Sequence, residues 1–296
     1  MGLKVTNVQK SFTGKKAVDS ISFEINNPGV FGLLGTNGAG KTTTIRMILG
    51  IIKKDAGEIK WNGKEVIRKH VNFGYLPEER GIYPKTKIYD QLMYFAELKG
   101  MDKEKANNSL KYWAKRLEVE EYINVPAEKL SKGNQQKIQF ITAIINDPEL
   151  IVLDEPFSGL DPVNTELLKS VILELIDKGK YIIMSSHQMS SIEEFCTDVL
   201  ILNKGKTVLK GNLKEIKQSY KANKVEISST VNIDSIISSL NLRVISNKDN
   251  DYTIQIQEEI EATNLLEKLV QENIKINKFE IKKPTLNDIF IEKVGK

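Results

Sequence analysis

A glycine-rich segment that ends in Lys-Thr-Thr most constrains what this chain can fold into. It reads Gly35-Thr36-Asn37-Gly38-Ala39-Gly40-Lys41-Thr42-Thr43 and directly follows the apolar run Val30–Leu34. Glycines allow the backbone to turn tightly with positive φ, and successive N–H groups at the start of a helix converge on an anion. The segment therefore predicts a phosphate-binding loop between a buried strand and a helix.

Two side chains of this loop have expected chemical roles. Lys41 would reach the β- and γ-phosphates of a nucleotide, and the Thr42 hydroxyl would bind Mg²⁺. The alternative is an ordinary glycine-rich turn followed by an unrelated Lys-Thr pair. That alternative leaves unexplained the helical spacing of the apolar residues directly after the loop, which are Ile45, Ile48 and Leu49.

A second candidate site lies where an apolar run meets two carboxylates. The run Leu150–Leu153 is followed by Asp154 and Glu155. At the end of a buried strand, Asp154 would orient the Mg²⁺ of a nucleotide, and Glu155 would polarise a water molecule for attack on the γ-phosphate. The alternative is a strand followed by a polar turn, because Asp-Glu-Pro is an ordinary turn sequence.

The order of apolar runs and helical patterns indicates the architecture of the first domain. Buried strands are predicted at Val30–Leu34, Leu150–Leu153 and Tyr181–Met184. Three helical patterns follow one another between residues 87 and 148, the third at Gln135–Ile145. We therefore expect an α/β domain over residues 1–220, with a largely parallel sheet and a helical insertion.

The composition changes from about Lys221 onward. Strands are predicted at Lys224–Ile227, Val244–Ser246, Tyr252–Gln257 and Lys278–Ile281. Helices are predicted at Ser235–Leu240, Ala262–Glu272 and Leu286–Val294. We expect residues 221–296 to form a separate α+β domain, which is a plausible size for an independent unit.

Composition excludes some classes of partner. The chain has 43 Lys and Arg residues against 39 Asp and Glu residues, and the basic residues are scattered, so nucleic acid is not an expected partner. A single cysteine, Cys196, cannot form an internal disulfide and fits a reducing cytoplasm. No segment approaches the roughly 20 apolar residues that a spanning helix needs. If the protein works at a membrane, another chain must cross it.

One further segment carries a family resemblance over about residues 1–220. Leu130-Ser131-Lys132-Gly133-Asn134 resembles the LSGGQ signature of ATP-binding cassette (ABC) transporter subunits. The resemblance implies a P-loop NTPase cassette with a parallel-sheet core, an antiparallel subdomain and a helical insertion, which binds ATP and Mg²⁺ and hydrolyses ATP. In that family the signature reaches across a dimer interface to the γ-phosphate in the other subunit. Ser131, Gly133 and Asn134 would make those contacts.

Other positions match the same family in order. Phe12 resembles the aromatic residue that stacks on adenine. Asp161, at the end of Ser158–Asp161, resembles the loop residue that couples the two sites of the dimer. His187 resembles the histidine that contacts the γ-phosphate, and with Lys41 and Glu155 it completes the expected catalytic set.

Two positions depart from the family pattern. Glu78 stands where glutamine is usual, beside the expected metal and attacking water, and its oxygens can still bind Mg²⁺. The direction of its effect on hydrolysis stays open. The signature has Lys132 and Asn134 where glycine and glutamine are usual, so Lys132 either adds positive charge near the other subunit's nucleotide or faces solvent.

Two segments resemble a subgroup of the family. Residues 78–84 resemble a subgroup of bacterial exporter ATPases that includes sodium-efflux and drug-resistance systems. The C-terminal region, which ends in residues 284–290, resembles the accessory domain found after such ATPases, with a role in regulation or in dimerisation. The resemblance implies a homodimer or heterodimer of ATP-binding subunits on the cytoplasmic side of the membrane, coupled to a separate transmembrane permease subunit. Two alternatives stay open. One is a non-transport ATPase that acts on ribosomes or DNA, and the other is a nucleotide-binding regulator without turnover, against which Glu155 and His187 argue.

Overall fold

The structure is a computed structural model that describes residues 2–66, 71–79, 81–187 and 189–294. The chain divides into two compact units, of which the first ends at Gly211 and the second begins at Asn212. The expected boundary after Tyr220 lies later than this division. The helix Leu213–Ser219 falls in the second unit.

The first unit contains ten strands and six α-helices among the described residues. The strands are β1 (Leu3–Phe12), β2 (Lys15–Ile25), β3 (Gly29–Gly35), β4 (Ala56–Trp61), β5 (Lys64–Glu65), β6 (Phe73–Leu76), β7 (Leu150–Asp154), β8 (Tyr181–Ser186), β9 (Cys196–Asn203) and β10 (Lys206–Asn212). The helices are α1 (Lys41–Ile48), α2 (Ile88–Leu98), α3 (Lys103–Arg116), α4 (Lys132–Ile144), α5 (Pro162–Asp177) and α6 (Met189–Glu193), with single 3₁₀ turns at Glu120–Tyr122 and Ala127–Lys129.

A six-stranded sheet in the order β10-β9-β3-β8-β7-β6 forms the centre of this unit. β3 runs parallel to β8 and β9, and β7 runs parallel to β6 and β8. Every residue of β7 is buried, as expected for a parallel strand covered on both faces. The predicted α/β fold with a largely parallel sheet is therefore confirmed.

A second, antiparallel sheet has the order β2-β1-β4-β5. Its inward residues share one hydrophobic core with β3, β7 and helix α1. The rings of Phe23 on β2 and Phe31 on β3 stack with centroids 4.8 Å apart. This core holds α1, and with it the loop that precedes α1, between the two sheets.

Helices α2, α3 and α4 form the helical insertion between β6 and β7. The third helix begins at Lys132, three residues before the predicted start at Gln135. The Ser131 hydroxyl accepts a hydrogen bond from the Asn134 N–H at 3.2 Å, and this capping bond draws Lys132–Asn134 into the first turn. The signature segment is therefore the start of a helix.

The second unit has its own sheet and core. Its strands are β11 (Lys224–Ser229), β12 (Arg243–Lys248), β13 (Asp251–Gln255) and β14 (Ile276–Lys282), in the antiparallel order β12-β13-β11-β14. Its helices are α7 (Leu213–Ser219), α8 (Asp234–Ser239), α9 (Glu259–Gln271) and α10 (Leu286–Val294). Apolar residues of the sheet, α8 and α9 pack into one buried cluster. In neither unit is any described helix both long and apolar enough to cross a membrane.

Candidate functional site

The phosphate loop joins β3 to α1 with a backbone that only glycine can adopt at two positions. Gly40 caps α1 with φ of 103°, and a side chain there would place its Cβ 2.6 Å from the carbonyl oxygen of Ala17. Gly35 has φ of 149°, and its Cβ would lie 2.4 Å from the carbonyl oxygen of Leu202. Both glycines therefore allow the loop to approach neighbouring strands closely, which fixes where its N–H groups point.

Lys41 lies buried under this loop. Its Nζ donates hydrogen bonds to the carbonyl oxygens of Gly35 at 2.7 Å and Thr36 at 3.4 Å. Neutral carbonyls are weaker partners for an ammonium group than phosphate oxygens are. Lys41 can therefore exchange them for a phosphate that enters the loop.

A cleft of about 670 Å³ opens over the loop. This is the size of a small-molecule site. Its lining comes from the loop, the β1–β2 turn, the β9–β10 turn and the ends of β6 and β7, and consists of Phe12, Thr13, Lys15, Lys16, Ala17, Thr36–Thr43, Glu78, Glu155 and Lys204. The cleft thus brings together the predicted residues Phe12, Lys41 and Glu155.

Phe12 ends β1 at the mouth of the cleft. Its side chain is 44% exposed, and the Nζ of Lys10 lies 5.4 Å from its ring centroid. An exposed aromatic face beside a phosphate loop can receive a nucleotide base. The position is compatible with the stacking role that the sequence predicts for Phe12.

Asp154 ends β7 and is buried beside Thr42. Its Oδ1 accepts a hydrogen bond from the Ser185 hydroxyl on β8, whereas its buried Oδ2 has no hydrogen-bond partner among the described residues. Burial raises the pKa of Asp154, and the neighbouring hydroxyls of Ser185 and Thr42 oppose the rise. A buried carboxylate oxygen without a partner beside a threonine hydroxyl fits the oxygen ligand set of Mg²⁺.

Glu155 follows Asp154 and is held by the end of β8. Its Oε1 accepts a hydrogen bond from the His187 N–H at 2.8 Å and lies 2.8 Å from His187 Nδ1, while its Oε2 accepts one from the Ser186 hydroxyl at 3.2 Å. The backbone of Glu155 has φ of 52°. A left-handed glutamate is uncommon, and such residues cluster at functional sites.

Helix α4 anchors two loops that border the cleft. The Gln139 side chain donates to the carbonyl oxygens of Pro77 and Glu79, at 3.2 Å and 3.0 Å, and so holds the backbone on both sides of Glu78. The Gln136 side chain donates to the carbonyl oxygen of Pro156 at 3.1 Å, just after Glu155. A shift of α4 would therefore move both carboxylates relative to the phosphate loop.

The signature residues and Asp161 lie together, but they do not line the cleft. A Cβ at Gly133 would be 3.6 Å from Leu160 and from Asn164, so the start of α4 faces the start of α5. Asp161 caps α5 by accepting a hydrogen bond from the Asn164 N–H at 2.8 Å. Hydrogen bonds from Asn164 also hold the pKa of the Asp161 carboxyl below its ordinary value. These groups form a second polar surface, separate from the loop of the same chain.

Several residues of the cleft were not predicted from the sequence. Thr13, Lys15, Lys16 and Ala17 follow Phe12 directly, and their closeness to Phe12 was the signal that could have found them. Lys204 has no such signal, because it lies more than 150 residues beyond the loop and enters the cleft through the β9–β10 turn. Only the folded sheet brings it there.

Comparison with known proteins places the chain in a family. Residues 18–158 match the family described as ABC transporter, and residues 211–294 match the one described as ATP-binding protein DrrA1-3-like, C-terminal domain. The Bacillus subtilis (strain 168) protein named "Uncharacterized ABC transporter ATP-binding protein YhaQ" is 47% identical over 99% of this chain and 98% of its own length.

Two further comparisons cover about three quarters of the chain's length. The Escherichia coli (strain K12) "Lipopolysaccharide export system ATP-binding protein LptB" is 29% identical over 75% of this chain and 95% of LptB. A solved structure titled "Structure of ATP binding subunit of ABC transporter" has a TM-score of 0.69 and 28% identity, and covers 74% of this chain and 93% of that one. The fold, the cleft and these similarities agree: the chain belongs to the ATP-binding proteins of ABC transporters, a family of cassettes that hydrolyse ATP to power transport.

Proposed function

We propose that this chain is the ATP-hydrolysing subunit of an ABC exporter and drives a separate transmembrane subunit from the cytoplasmic side of the membrane. The observation that carries the proposal is that the phosphate loop and Glu155 line one and the same cleft. The base of the proposed reaction and the lysine that would hold the phosphates thus face the same volume. The reaction is hydrolysis of the bond between the β- and γ-phosphates of ATP.

The predicted site residues, in the cleft and beside it, take the following parts in this reaction. Phe12 stacks on the adenine, while Lys41 and the N–H groups of residues 36–43 bind the phosphates. Glu155 accepts a proton from the attacking water, and His187 contacts the γ-phosphate. Bound Mg²⁺ would neutralise phosphate charge, with Thr42, Asp154 and Glu78 as its protein ligands.

The active unit is a dimer of ATP-binding subunits, either two copies of this chain or this chain with a related one. The separation of Ser131, Gly133, Asn134 and Asp161 from the cleft of their own chain supports this arrangement. Ser131 and Gly133 begin a helix, where N–H groups and a hydroxyl favour an anion. In a dimer each subunit would present this surface to the γ-phosphate bound by the other.

The helical insertion offers a surface for the transmembrane subunit. Tyr83, Tyr94 and Leu98 are each more than half exposed, and the Tyr83 ring stacks on Phe95 at 6.2 Å. The Gln91 side chain bonds the N–H and the carbonyl oxygen of Tyr83, at 2.8 Å and 2.9 Å, and so fixes this surface close to Glu78 in sequence. Clustered exposed aromatics mark sites of protein association. The export direction rests on the exporter resemblance and on the name of the relative LptB.

Purification of the tagged chain from detergent-solubilised membranes tests the proposal. We expect a multi-span membrane protein to copurify and to change the ATPase rate of the chain. Tyr94→Glu should abolish this copurification while the variant still binds ATP, and Ile260→Glu, at an exposed position on α9, serves as the control for added charge. Recovery of ribosomes or DNA without a membrane protein would instead favour a non-transport ATPase.

A further inference from the structure

Within the described ranges, four two-residue turns join neighbouring strands with left-handed backbone at both residues. They are Thr13-Gly14 (φ 45° and 81°), Asn62-Gly63 (49° and 79°), Lys204-Gly205 (48° and 80°) and Asp249-Asn250 (52° and 67°). The first residue of each turn therefore has nearly the same conformation. Differences in residue type at that position reflect something other than turn geometry.

Such turns strongly prefer Asn, Asp or Gly at their first position, because these residues adopt positive φ at low cost. Asn62 and Asp249 follow this preference. Lys204 does not, and Thr13 departs further, since a β-branched residue is a genuine outlier there. The backbone at Thr13 and Lys204 is therefore strained, while the same turn elsewhere in the chain is relaxed.

The two strained turns share a location. Thr13 and Lys204 both line the cleft over the phosphate loop, whereas Asn62 and Asp249 do not. Five of the described residues with left-handed backbone are neither Gly, Asn nor Asp. Three of them line the cleft, with Glu155 as the third, whereas Ser20 and Glu118 do not. Strain that persists at a binding site indicates that the side chain is retained for function.

The turn of Lys204 is held firmly against the phosphate loop. The Gly205 N–H donates to the carbonyl oxygen of Ala39 at 3.0 Å, and the Asp19 N–H donates to the carbonyl oxygen of Gly205 at 2.8 Å. A Cβ at Gly205 would lie 2.8 Å from the carbonyl oxygen of Ala17. Lys204 itself makes no ion pair within the part of the chain that the structure describes, so its ammonium group is available to a ligand.

We infer that Lys204 and Thr13 are additional nucleotide contacts, in which the Lys204 ammonium binds a phosphate oxygen of the nucleotide and the Thr13 hydroxyl binds beside it. This inference rests on the assignment of the cleft to ATP. The two turns would contact the nucleotide between the adenine position at Phe12 and the phosphate loop. Thr13 and Lys204 then serve ligand binding, and each makes its turn less stable than Asn or Asp would.

Lys204→Asn separates these two effects. We expect its affinity for ATP and ADP, measured by calorimetry, to fall about tenfold, because a charge-assisted hydrogen bond is lost. The melting temperature without nucleotide should rise, because Asn suits the turn. Lys204→Arg should keep most of the affinity, and Thr13→Asn should show the same pair of changes on a smaller scale.

Two matched variants control for charge and for turn chemistry. Lys206→Asn removes the same charge from the same hairpin, outside the cleft, and should leave nucleotide affinity unchanged. Asp249→Lys places lysine in an equivalent turn of the second unit, and should lower the melting temperature without altering affinity.

Lys41→Ala, measured in the same assay, distinguishes failure of this inference from failure of the cleft assignment. If Lys41→Ala loses nucleotide binding and Lys204→Asn does not, the inference is wrong and the cleft assignment stands. If neither variant loses binding, the cleft assignment itself is wrong. A drop in the melting temperature of Lys204→Asn would also overturn the inference, because it would show that the lysine stabilises the turn.

Discussion

Glu155 and His187 meet through one carboxylate oxygen: Glu155 Oε1 accepts the His187 backbone N–H and lies 2.8 Å from its Nδ1. This contact is a hydrogen bond from His187 to Glu155 in the imidazole tautomer that carries its proton on Nδ1. The ends of the adjacent strands β7 and β8 therefore hold the proposed base, Glu155, in direct contact with the proposed phosphate ligand, His187. Any movement of one strand end would move both groups.

Glu155→Gln should bind ATP but hydrolyse it about 10²–10⁴-fold more slowly, the usual effect of losing a general base. The amide keeps the size of the side chain and can still contact His187. We expect a nucleotide-locked dimer to accumulate, which size-exclusion chromatography with Mg²⁺ and ATP would detect. Unimpaired turnover would contradict the role of Glu155.

Lys41→Ala should lose at least about tenfold in ATP affinity, because it removes charge-assisted hydrogen bonds to the phosphates. It should also unfold more easily, by about 1 kcal/mol, since the carbonyl oxygens of Gly35 and Thr36 lose their donor. Equilibrium binding and denaturant unfolding measure the two effects. Lys64→Ala, at an exposed position on β5, is the control and should change neither.

Asp154→Asn should make the protein more stable at neutral pH but abolish Mg²⁺-dependent hydrolysis. Because burial raises the pKa of Asp154, its contribution to stability is greatest below its ordinary value of 3.8 and is lost as the pH rises through the folded-state pKa. Above its folded-state pKa, the buried, ionised Asp154 is therefore destabilising. We expect a gain of about 1 kcal/mol for the variant, shrinking as the pH falls. Unfolding curves at several pH values would show the opposite trend if Asp154 were stabilising when ionised.

Glu174→Gln should loosen the helical insertion from the core. On α5, Glu174 accepts hydrogen bonds from the α3 residues Tyr112 and Arg116 (the latter at 3.0 Å) and from Lys178 at 2.7 Å. Burial disfavours the ionised form of Glu174, yet these hydrogen bonds hold its pKa below the ordinary value of 4.5. The stabilisation by ionised Glu174 is therefore complete above pH 4.5 and is lost as the pH falls through the folded-state pKa of Glu174.

For this partly exposed network we expect a loss of about 1 kcal/mol at neutral pH. Hydrogen exchange should rise selectively in α3, which a uniform loss of stability would not produce. Glu166→Gln, on the exposed face of the same helix, is the matched control. Equal exchange in α3 for both variants would contradict the proposed link.

The local signals of the sequence were sufficient for most of the fold. The run Leu150–Leu153 predicted β7 because a strand buried on both faces is apolar throughout. The phosphate loop was recognisable because its chemistry needs glycines and Lys-Thr at fixed spacing between a strand and a helix. The predicted third helix started late because its first turn depends on the Ser131 cap rather than on apolar spacing.

Residue type and spacing along the chain thus determined the α/β class, the phosphate loop and the carboxylates at the end of β7. Only the tertiary structure decided which groups meet, such as the Ser185 hydroxyl with Asp154 and His187 with Glu155. It also brought Lys204 to the cleft and kept Ser131 out of it. The physical reason is that parallel pairing places residues from distant segments at one edge of the sheet, and no local pattern encodes which strands become neighbours.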